Sequence, residues 1–271
     1  MKVFKSRRLS LRTGAILMLV LFIMSALPVL TFFVIDYMYP FSADMLGRDS
    51  AQAIEDKDGK TLRYFLPSDN TWRFETRLED ISPELIEAVI QSEDRWFHYH
   101  MGVNPLSILR AAYSNLLSGD TVSGASTIPM QIARMSDPNP RTLFTKLKEA
   151  FRAVQLKRGY TDDELLEIYL NLAPYGGNIE GVAAASYFYF GKTPAILSPD
   201  EIALLTLLPR SPVAYDPTRN PDLAAKRRNR LLDYLGKRSV FSEAEIKAAM
   251  ARPVPAKKAI QPFKAPHFAE Y

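Results

Sequence analysis

The sequence predicts a mainly α protein with a minor β hairpin, preceded by one transmembrane helix. Three observations carry that prediction. Residues 14–35 form an uncharged apolar run. Residues 52–66 alternate loosely around Asp58-Gly59, a dipeptide that favours the tight turn of a hairpin. From residue 82 onward, apolar residues recur at helical spacing behind capping residues.

The apolar run GAILMLVLFIMSALPVLTFFVI is twenty-two residues long. As a helix rising ~1.5 Å per residue it spans roughly 33 Å, enough to cross a bilayer core. The competing reading is a cleaved signal peptide. Its apolar region is usually only about 7–15 residues, and Ser25-Ala26-Leu27 makes a poor cleavage site with more apolar sequence behind it. An uncleaved anchor is the expectation. Pro28 is tolerable in such a helix because neighbouring groups can re-satisfy the freed carbonyl. Lys2, Lys5, Arg7, Arg8 and Arg12 precede the span, whereas Asp36, Asp44, Arg48 and Asp49 follow it. The positive-inside rule then puts the N-terminus in the cytoplasm and residues 36–271 outside.

Charge is concentrated in that leading tail. The chain carries 34 Lys+Arg and 30 Asp+Glu, a formal +4. Removing the five leading cations leaves 29 basic against 30 acidic residues in 36–271, about −1. A general nucleic-acid surface is therefore not expected. With 47% hydrophobic and 24% charged residues, a largely disordered chain is excluded. There is no Cys, so disulfides, thiolate metal sites and Cys nucleophiles are excluded, and the three His (His98, His100, His267) argue against a His-rich metal centre. An external domain without Cys fits a bacterial envelope protein that does not depend on disulfides.

The chain divides into a basic tail at 1–13, the anchor at 14–35, a β-containing stalk and domain start at 36–80, a helical body at 81–238, and a helix with a Pro-rich linker at 239–271. Ser82 can cap a helix that has Pro83 at its first position, with Leu85, Ile86, Val89 and Ile90 as one apolar stripe. Thr161-x-x-Glu164, Ser198-x-x-Glu201 and Ser242-x-x-Glu245 are capping boxes. The spacing predicts helices at 83–96, 105–117, 127–135, 142–157, 162–172, 179–188, 199–208, 221–236 and 243–250. Residues 252–266 carry four Pro and read as a linker or an extended strap, leading past Tyr271 toward a further domain.

Four segments concentrate polar chemistry, and each also allows a bland reading. Glu93 through Gly102 (EDRWFHYHMG) sits where an amphipathic helix runs out. Acids at a helix C-terminal end oppose the macrodipole, and aromatic neighbours desolvate a carboxylate, which are the conditions of a general base. The same residues also make a structural Glu–Arg pair under aromatic packing. Gly124 through Arg134 (GASTIPMQIAR) offers free backbone N–H groups and hydroxyls at a helix start, which either bind an anion or cap the helix. Arg141 through Glu149 (RTLFTKLKE) is either a solvated helix face or, with Arg134, Arg141 and Lys146, a cationic nest for a diphosphate. One Glu would then be desolvated and the other surrounded by positive charge, an asymmetry that assigns acid/base roles. Glu167 through Lys192 reads mainly as scaffold with a glycine turn at 176–177.

Taken in order, these segments resemble the motifs of the peptidoglycan glycosyltransferases, glycosyltransferase family 51. These are the glycan-polymerising domains of class A penicillin-binding proteins and their monofunctional relatives. Glu93-Asp94-x-x-Phe97-x-x-His100-x-Gly102 resembles the first motif and Gly124-x-Ser126-Thr127-Ile128-x-x-Gln131 the second. Lys146-x-x-Glu149 resembles the third, and Tyr169-Leu170-Asn171, Gly176, Gly181, Ala185 and Tyr189-Phe190-Gly191-Lys192 the fourth. Ser198-Pro199-x-Glu201-x-Ala203-x-Leu205 with Pro209 resembles the fifth. The likeness covers roughly 50–235. Met130-Gln131, Ala173-Pro174-Tyr175-Gly176-Gly177 and Ala265-Pro266-His267-Phe268 are most similar to the 1C branch. The chain departs from the common pattern at Met130 (usually Gln), Thr145 (usually Arg) and Lys157 (often Glu).

The resemblance implies a lysozyme-like fold with a small jaw lobe. It also implies a reaction: transfer of a growing glycan from undecaprenyl diphosphate to the 4-hydroxyl of a lipid-linked disaccharide-peptide (lipid II), with inversion to a β-1,4 linkage. By the resemblance, Glu93 is the base on the acceptor hydroxyl and Glu149 assists at the donor. Arg134, Arg141 and Lys146 stabilise the leaving diphosphate, Ser126, Thr127 and Gln131 shape the pocket, and Asp94, His100 and Asn171 count among the substrate contacts. Diphosphate needs little protonation to leave, so cations can replace a general acid. Inverting glycosidases space their carboxylates about 6.5–9.5 Å apart to fit water, and at least that gap is expected here. No metal ligand set is expected, although a divalent cation, Mg or Mn, is allowed near the diphosphate. Lipid II, the growing chain, the membrane and cell-wall synthesis proteins are the expected partners, and no nucleic acid. The expected location is the bacterial inner membrane, single-pass, with a periplasmic catalytic domain. The apolar run at 105–117 either dips into the outer leaflet or is ordinary core. A lytic transglycosylase or muramidase is the rival enzyme, and a membrane-tethered scaffold the non-enzymatic rival. Ser-x-x-Lys and Lys-Thr-Gly do not occur, so Ser68-Asp69-Asn70 stands without the nucleophile motif and these residues are not expected to bind β-lactams.

Overall fold

A computed structural model describes residues 11–58, 61–110 and 126–259. The chain forms two compact units, Met1–Ser42 and Ala43–Tyr271. The first is built on helix α1 (Leu11–Met38), of which Gly14–Met38 is long and apolar enough to cross a membrane. It outruns the predicted 14–35 at both ends. Loss of hydrophobicity does not end a helix, and beyond Pro28, which the helix accommodates, the next proline is Pro40. Its large side chains are exposed all round, Leu17 by 53% and Phe22 by 67%, as expected for a helix whose solvent is lipid. The Ser25 hydroxyl donates to the Phe22 carbonyl at 2.9 Å in the turn before Pro28.

The second unit opens with a hairpin. Strand β1 (Gln52–Glu55) pairs antiparallel with β2 (Thr61–Phe65), Gln52 opposite Phe65, with a bulge after Ile54. Asp58 stands at the predicted turn; Gly59 lies outside the described residues. Tyr64 stacks on Phe74 at 4.8 Å between ring centroids, and Trp72 meets Phe188 at 5.1 Å, so an aromatic cluster fastens the hairpin to the helical body. Buried Arg73 is satisfied by Glu180 at 2.7 Å, Asp69 at 2.5 Å and the Asp49 carbonyl at 3.0 Å.

The body is helical as predicted. Its elements are α2 (Pro83–Glu93), α3 (Ile128–Ser136), α4 (Leu143–Gly159), α5 (Asp162–Leu172), α6 (Val182–Phe190), α7 (Pro199–Leu207), α8 (Pro221–Gly236) and α9 (Glu243–Ala251). Ser82 caps α2, accepting from the Leu85 N–H at 3.2 Å, and α2 buries Leu85, Ala88, Val89 and Ile90. The boxes at Thr161 and Ser242 form as read, and at Ser198 the N–H donates to Glu201 at 2.8 Å. Helix α3 packs on α4 and α5, while α2 packs on α7 and α8. Residues 105–110 are helical; the remainder of the predicted 105–117 lies outside the described residues.

In the helical body two boundaries differ from the predicted ones. Helix α2 stops at Glu93 instead of 96, because Asp94 leaves helical geometry (φ −155°, ψ 71°) and Phe97–Tyr99 make a separate tight turn. Helix α6 begins at Val182 instead of 179. Ile179–Glu180 form strand β4 against β3 (Pro174–Gly176), and Ile179 also bridges to Trp72. A two-residue strand has no periodicity of its own; the ladder with β3, two residues back, and the bridge to distant Trp72 create it. The Pro-rich tail is a strap as far as residue 259. Arg252 pairs with Asp200 at 2.9 Å, Lys258 with Asp216 at 3.1 Å, and the Ala259 N–H donates to the Phe188 carbonyl at 2.6 Å.

The departure at Lys157 has a local explanation. Its ammonium pairs with Asp162, donates to the Phe97 carbonyl at 2.9 Å, and lies 4.0 Å from the Phe97 ring centroid. Asp162 also meets His98 Nδ1 at 2.6 Å. Burial alone would raise the Asp162 carboxyl, but the bonds from Lys157 and His98 outweigh it and the net shift is downward. A depressed carboxylate stabilises the fold fully above its ordinary value of 3.8, and that contribution fades as pH falls through the folded value. Asp162→Asn is expected to lower the neutral-pH melting temperature by roughly 2–4 °C, the effect of about 1 kcal/mol for a partly exposed pair. It should also flatten the acid limb of a Tm–pH curve below about pH 4.

Candidate active site

Glu93 is the last residue of α2 and its side chain is 8% exposed. Its Oε2 accepts from Gln131 Nε2 at 3.1 Å, and its Oε1 accepts from Arg210 Nε at 2.6 Å. Arg210 also donates to the Ser92 carbonyl and, at 2.9 Å, to Ser92 Oγ, so its planar fork grips the end of α2. The phenols of buried Tyr169 and Tyr175 are pushed up, first by burial and then by the negative charge of Glu93. Arg134 and Arg210 act on Tyr169 in the opposite direction. Arg134, on α3, thus stands near this group, with no carboxylate partner among the described residues.

Asp94, one residue on, works differently. Its carboxylate meets His100 Nε2 at 2.9 Å and accepts from the Ile128 N–H at 3.0 Å, the first residue of α3. His100 Nδ1 takes the Gly102 N–H at 3.2 Å. An N–H can only donate, so Nδ1 is the acceptor, Nε2 carries the proton, and a neutral imidazole satisfies both contacts. Thr127 completes the mount: its Oγ1 donates to the Gly102 carbonyl at 2.6 Å and caps α3 at the Met130 N–H. Asp94, His100 and Thr127 therefore position α3 against the end of α2. That junction is what brings Gln131 to Glu93.

Glu149, on α4, is 9% exposed and paired with Lys146 Nζ at 3.3 Å, one helical turn earlier. Lys146 also donates to Ser126 Oγ. The asymmetry expected of the two Glu is not found, since each carboxylate has a cationic partner. The first partner, Arg210, was missed; its only signal was the neighbouring Pro209 of the fifth motif, more than a hundred residues from Glu93. Thr145 spends its hydroxyl on the Pro140 carbonyl at 2.8 Å and on Thr142. Arg141 is exposed and makes no ion pair among the described residues, so of the three cations predicted to form a nest Lys146 is the one paired with a carboxylate there. Gly124 lies outside the described residues.

One cleft of about 280 Å³ unites the first two motifs. Glu93, Asp94, Trp96, Asn104, Arg110, Ser126 and Thr127 line it. Ser126 is the hinge of the arrangement, facing the cleft that Glu93 faces and holding the lysine that pairs with Glu149. Asn171 is not brought here. Its amide holds both the N–H and the carbonyl of Thr76, at 3.1 and 2.8 Å, and it lines a separate cavity with Arg73 and Glu167. Among the described residues no three His, Asp or Glu side chains gather as a metal site would need. The neighbour of Glu149 is an ammonium.

Known proteins share this arrangement of sequence. The transglycosylase family matches residues 58–235. Penicillin-binding protein 1C of Escherichia coli is 42% identical over 204 residues, 75% of this chain and 26% of that protein. Penicillin-binding protein 1A of Aquifex aeolicus is 37% identical over 187 residues, 69% of this chain and 26% of that one. Penicillin-binding protein 1A of Escherichia coli is 43% identical over 161 residues, 59% of this chain and 19% of that one. The chain thus spans about a quarter, 26%, of the length of the first two relatives.

Proposed function

The chain belongs to the transglycosylase family of class A penicillin-binding proteins, glycosyltransferase family 51, and from that premise we propose that it polymerises peptidoglycan glycan strands from lipid II. The observation that carries the reading is the shared cleft, with Glu93 on one wall and Ser126, bonded to the Lys146–Glu149 pair, on another.

In this reading Glu93 accepts the proton of the acceptor 4-hydroxyl. The oxygen forms a bond to the donor anomeric carbon, and the bond from that carbon to the diphosphate breaks. The electron pair leaves with the diphosphate, so charge is conserved and the β linkage results from inversion. Gln131 and Arg210 hold the carboxylate of Glu93 by separate oxygens, fixing its direction. Lys146 presents the positive charge that the departing diphosphate needs, with Glu149 holding the ammonium in place. Arg134 and Arg141 are the further cations a diphosphate could recruit. The leading helix fits anchoring in the inner membrane, with the N-terminus cytoplasmic and the catalytic unit periplasmic. Two ridges of the second unit support contact with lipid: Leu106 and Leu109 are 74% and 66% exposed, and Leu143 and Phe144 are 79% and 77% exposed.

The test is incubation of the full chain, in detergent, with lipid-linked disaccharide-peptide. Polymer is the expected product. Soluble fragments released from finished wall, without polymer from precursor, would instead establish a lytic enzyme. Arg210→Ala is expected to lower the polymerisation rate about tenfold or more, because it leaves a nearly buried carboxylate without its charge partner. Arg210→Lys should be intermediate, since an ammonium keeps the charge but cannot reproduce the fork onto Ser92.

A further inference from the structure

The turn that follows Glu93 sends its aromatic residues in opposite directions. Phe97 is fully buried, whereas Trp96 is 46% and Tyr99 80% exposed. The exposed rings meet edge to face, with centroids 5.7 Å apart. The Arg95 guanidinium lies 4.9 Å from the Trp96 centroid. The mount beneath them is rigid. Lys157 holds the Phe97 carbonyl and ring, His98 is held by Asp162 at 2.6 Å, and His100 by Asp94 at 2.9 Å.

Leaving a large indole half in water forgoes one of the largest burial gains a side chain offers. This one lines the Glu93 cleft, and the other lining groups are hydrogen-bonding: Asn104, Ser107, Arg110 and Ser126. A pyranose ring has the matching anatomy. Its two faces present C–H bonds that pack on an aromatic surface, and its rim presents hydroxyls that need polar partners. The walls of this cleft are polar and charged, as the rim of a sugar requires.

We propose that Trp96, braced by Arg95 and Tyr99, is a stacking platform for one sugar ring of the glycan at the mouth of the Glu93 cleft. The inference rests on the glycan-polymerising reading and adds a subsite to it. The platform is preorganised because the turn is locked on its buried side, so little ordering accompanies binding.

The chain contains two Trp, and Trp72 is only 6% exposed, so aqueous quenching of fluorescence reports on Trp96. The experiment places the full chain in phospholipid nanodiscs and adds a lipid-free β-1,4 oligosaccharide of alternating N-acetylglucosamine and N-acetylmuramic acid. The oligosaccharide is expected to shield Trp96 from iodide. By calorimetry, Trp96→Ala should weaken its binding about tenfold, and Trp96→Tyr by no more than about threefold, because a phenol still offers a flat face. Unchanged iodide quenching, or wild-type affinity in Trp96→Ala, would overturn the proposal. So would quenching of Trp96 by brominated acyl chains before any sugar is added, which would assign the ring to the membrane. The binding measurement involves no catalysis. Failure of the wild type to polymerise lipid-linked precursor would sink the enzymatic reading alone, whereas normal sugar binding by Trp96→Ala in an active polymerase would sink the platform alone.

Discussion

Glu93→Gln is expected to reduce polymerisation by about 10²–10⁴-fold, the usual worth of a positioned general base. The substitution keeps shape and volume. Its amide can still accept from Arg210, and Gln131 can rotate its own amide to meet the new N–H, so the packing of α2 on α3 should persist. Only the capacity to take a proton is removed. Glu149→Gln tests a different property, the anchoring of Lys146, and its effect should be smaller, about 10–10²-fold, because a neutral amide still accepts from the ammonium while the cation remains. The measurement is the initial rate of polymer formation from lipid-linked disaccharide-peptide, with circular dichroism and thermal melting of each variant as controls for folding. A Glu93→Gln enzyme that polymerises at the wild-type rate would refute the base assignment.

The largest expected effect on stability comes from Gly102→Ala. Gly102 has φ +91°, a conformation that side chains disfavour. A Cβ there would stand 2.3 Å from the Ala153 carbonyl oxygen and 2.8 Å from the Val154 nitrogen, and both are backbone atoms of α4. Neither can rotate away. Relief requires moving the 97–102 turn off α4, which also disturbs the Thr127 bond to the Gly102 carbonyl and the Gly102 N–H bond to His100. Strain and overpacking together should destabilise by about 3 kcal/mol or more, a fall of roughly 6–12 °C in Tm for a domain of this size. Activity should fall before the protein melts, because the same turn joins Asp94 to the start of α3. A variant that melts within about 2 °C of wild type would show that the turn and α4 can separate without strain.

Much of this was legible in the chain itself. Ser82-Pro83, Thr161-x-x-Glu164 and Ser242-x-x-Glu245 set helix starts by bonds made within a few residues, so their geometry is written locally. Lys146 and Glu149 meet because three residues make nearly one helical turn. Partners distant in sequence were not legible. Gln131 reaches Glu93 across 38 positions and Arg210 across 117, and no periodicity encodes either contact. Asn171 shows the converse: a residue inside a recognisable motif whose amide is used to hold the Thr76 backbone.

The sequence by itself determined the leading apolar helix, the helical body with its caps and the hairpin, because each depends on spacing or composition within a few turns of chain; Glu93 and Glu149 stood out only through the family resemblance. Tertiary structure alone decided that Glu93 has Arg210 for its cation, that Ile179 bridges to Trp72, that Asp94 and His100 serve the α2–α3 junction, and that Ser126 links the two carboxylates to one cleft. Those outcomes follow from which surfaces close against each other, and the position of a surface is a property of the whole fold.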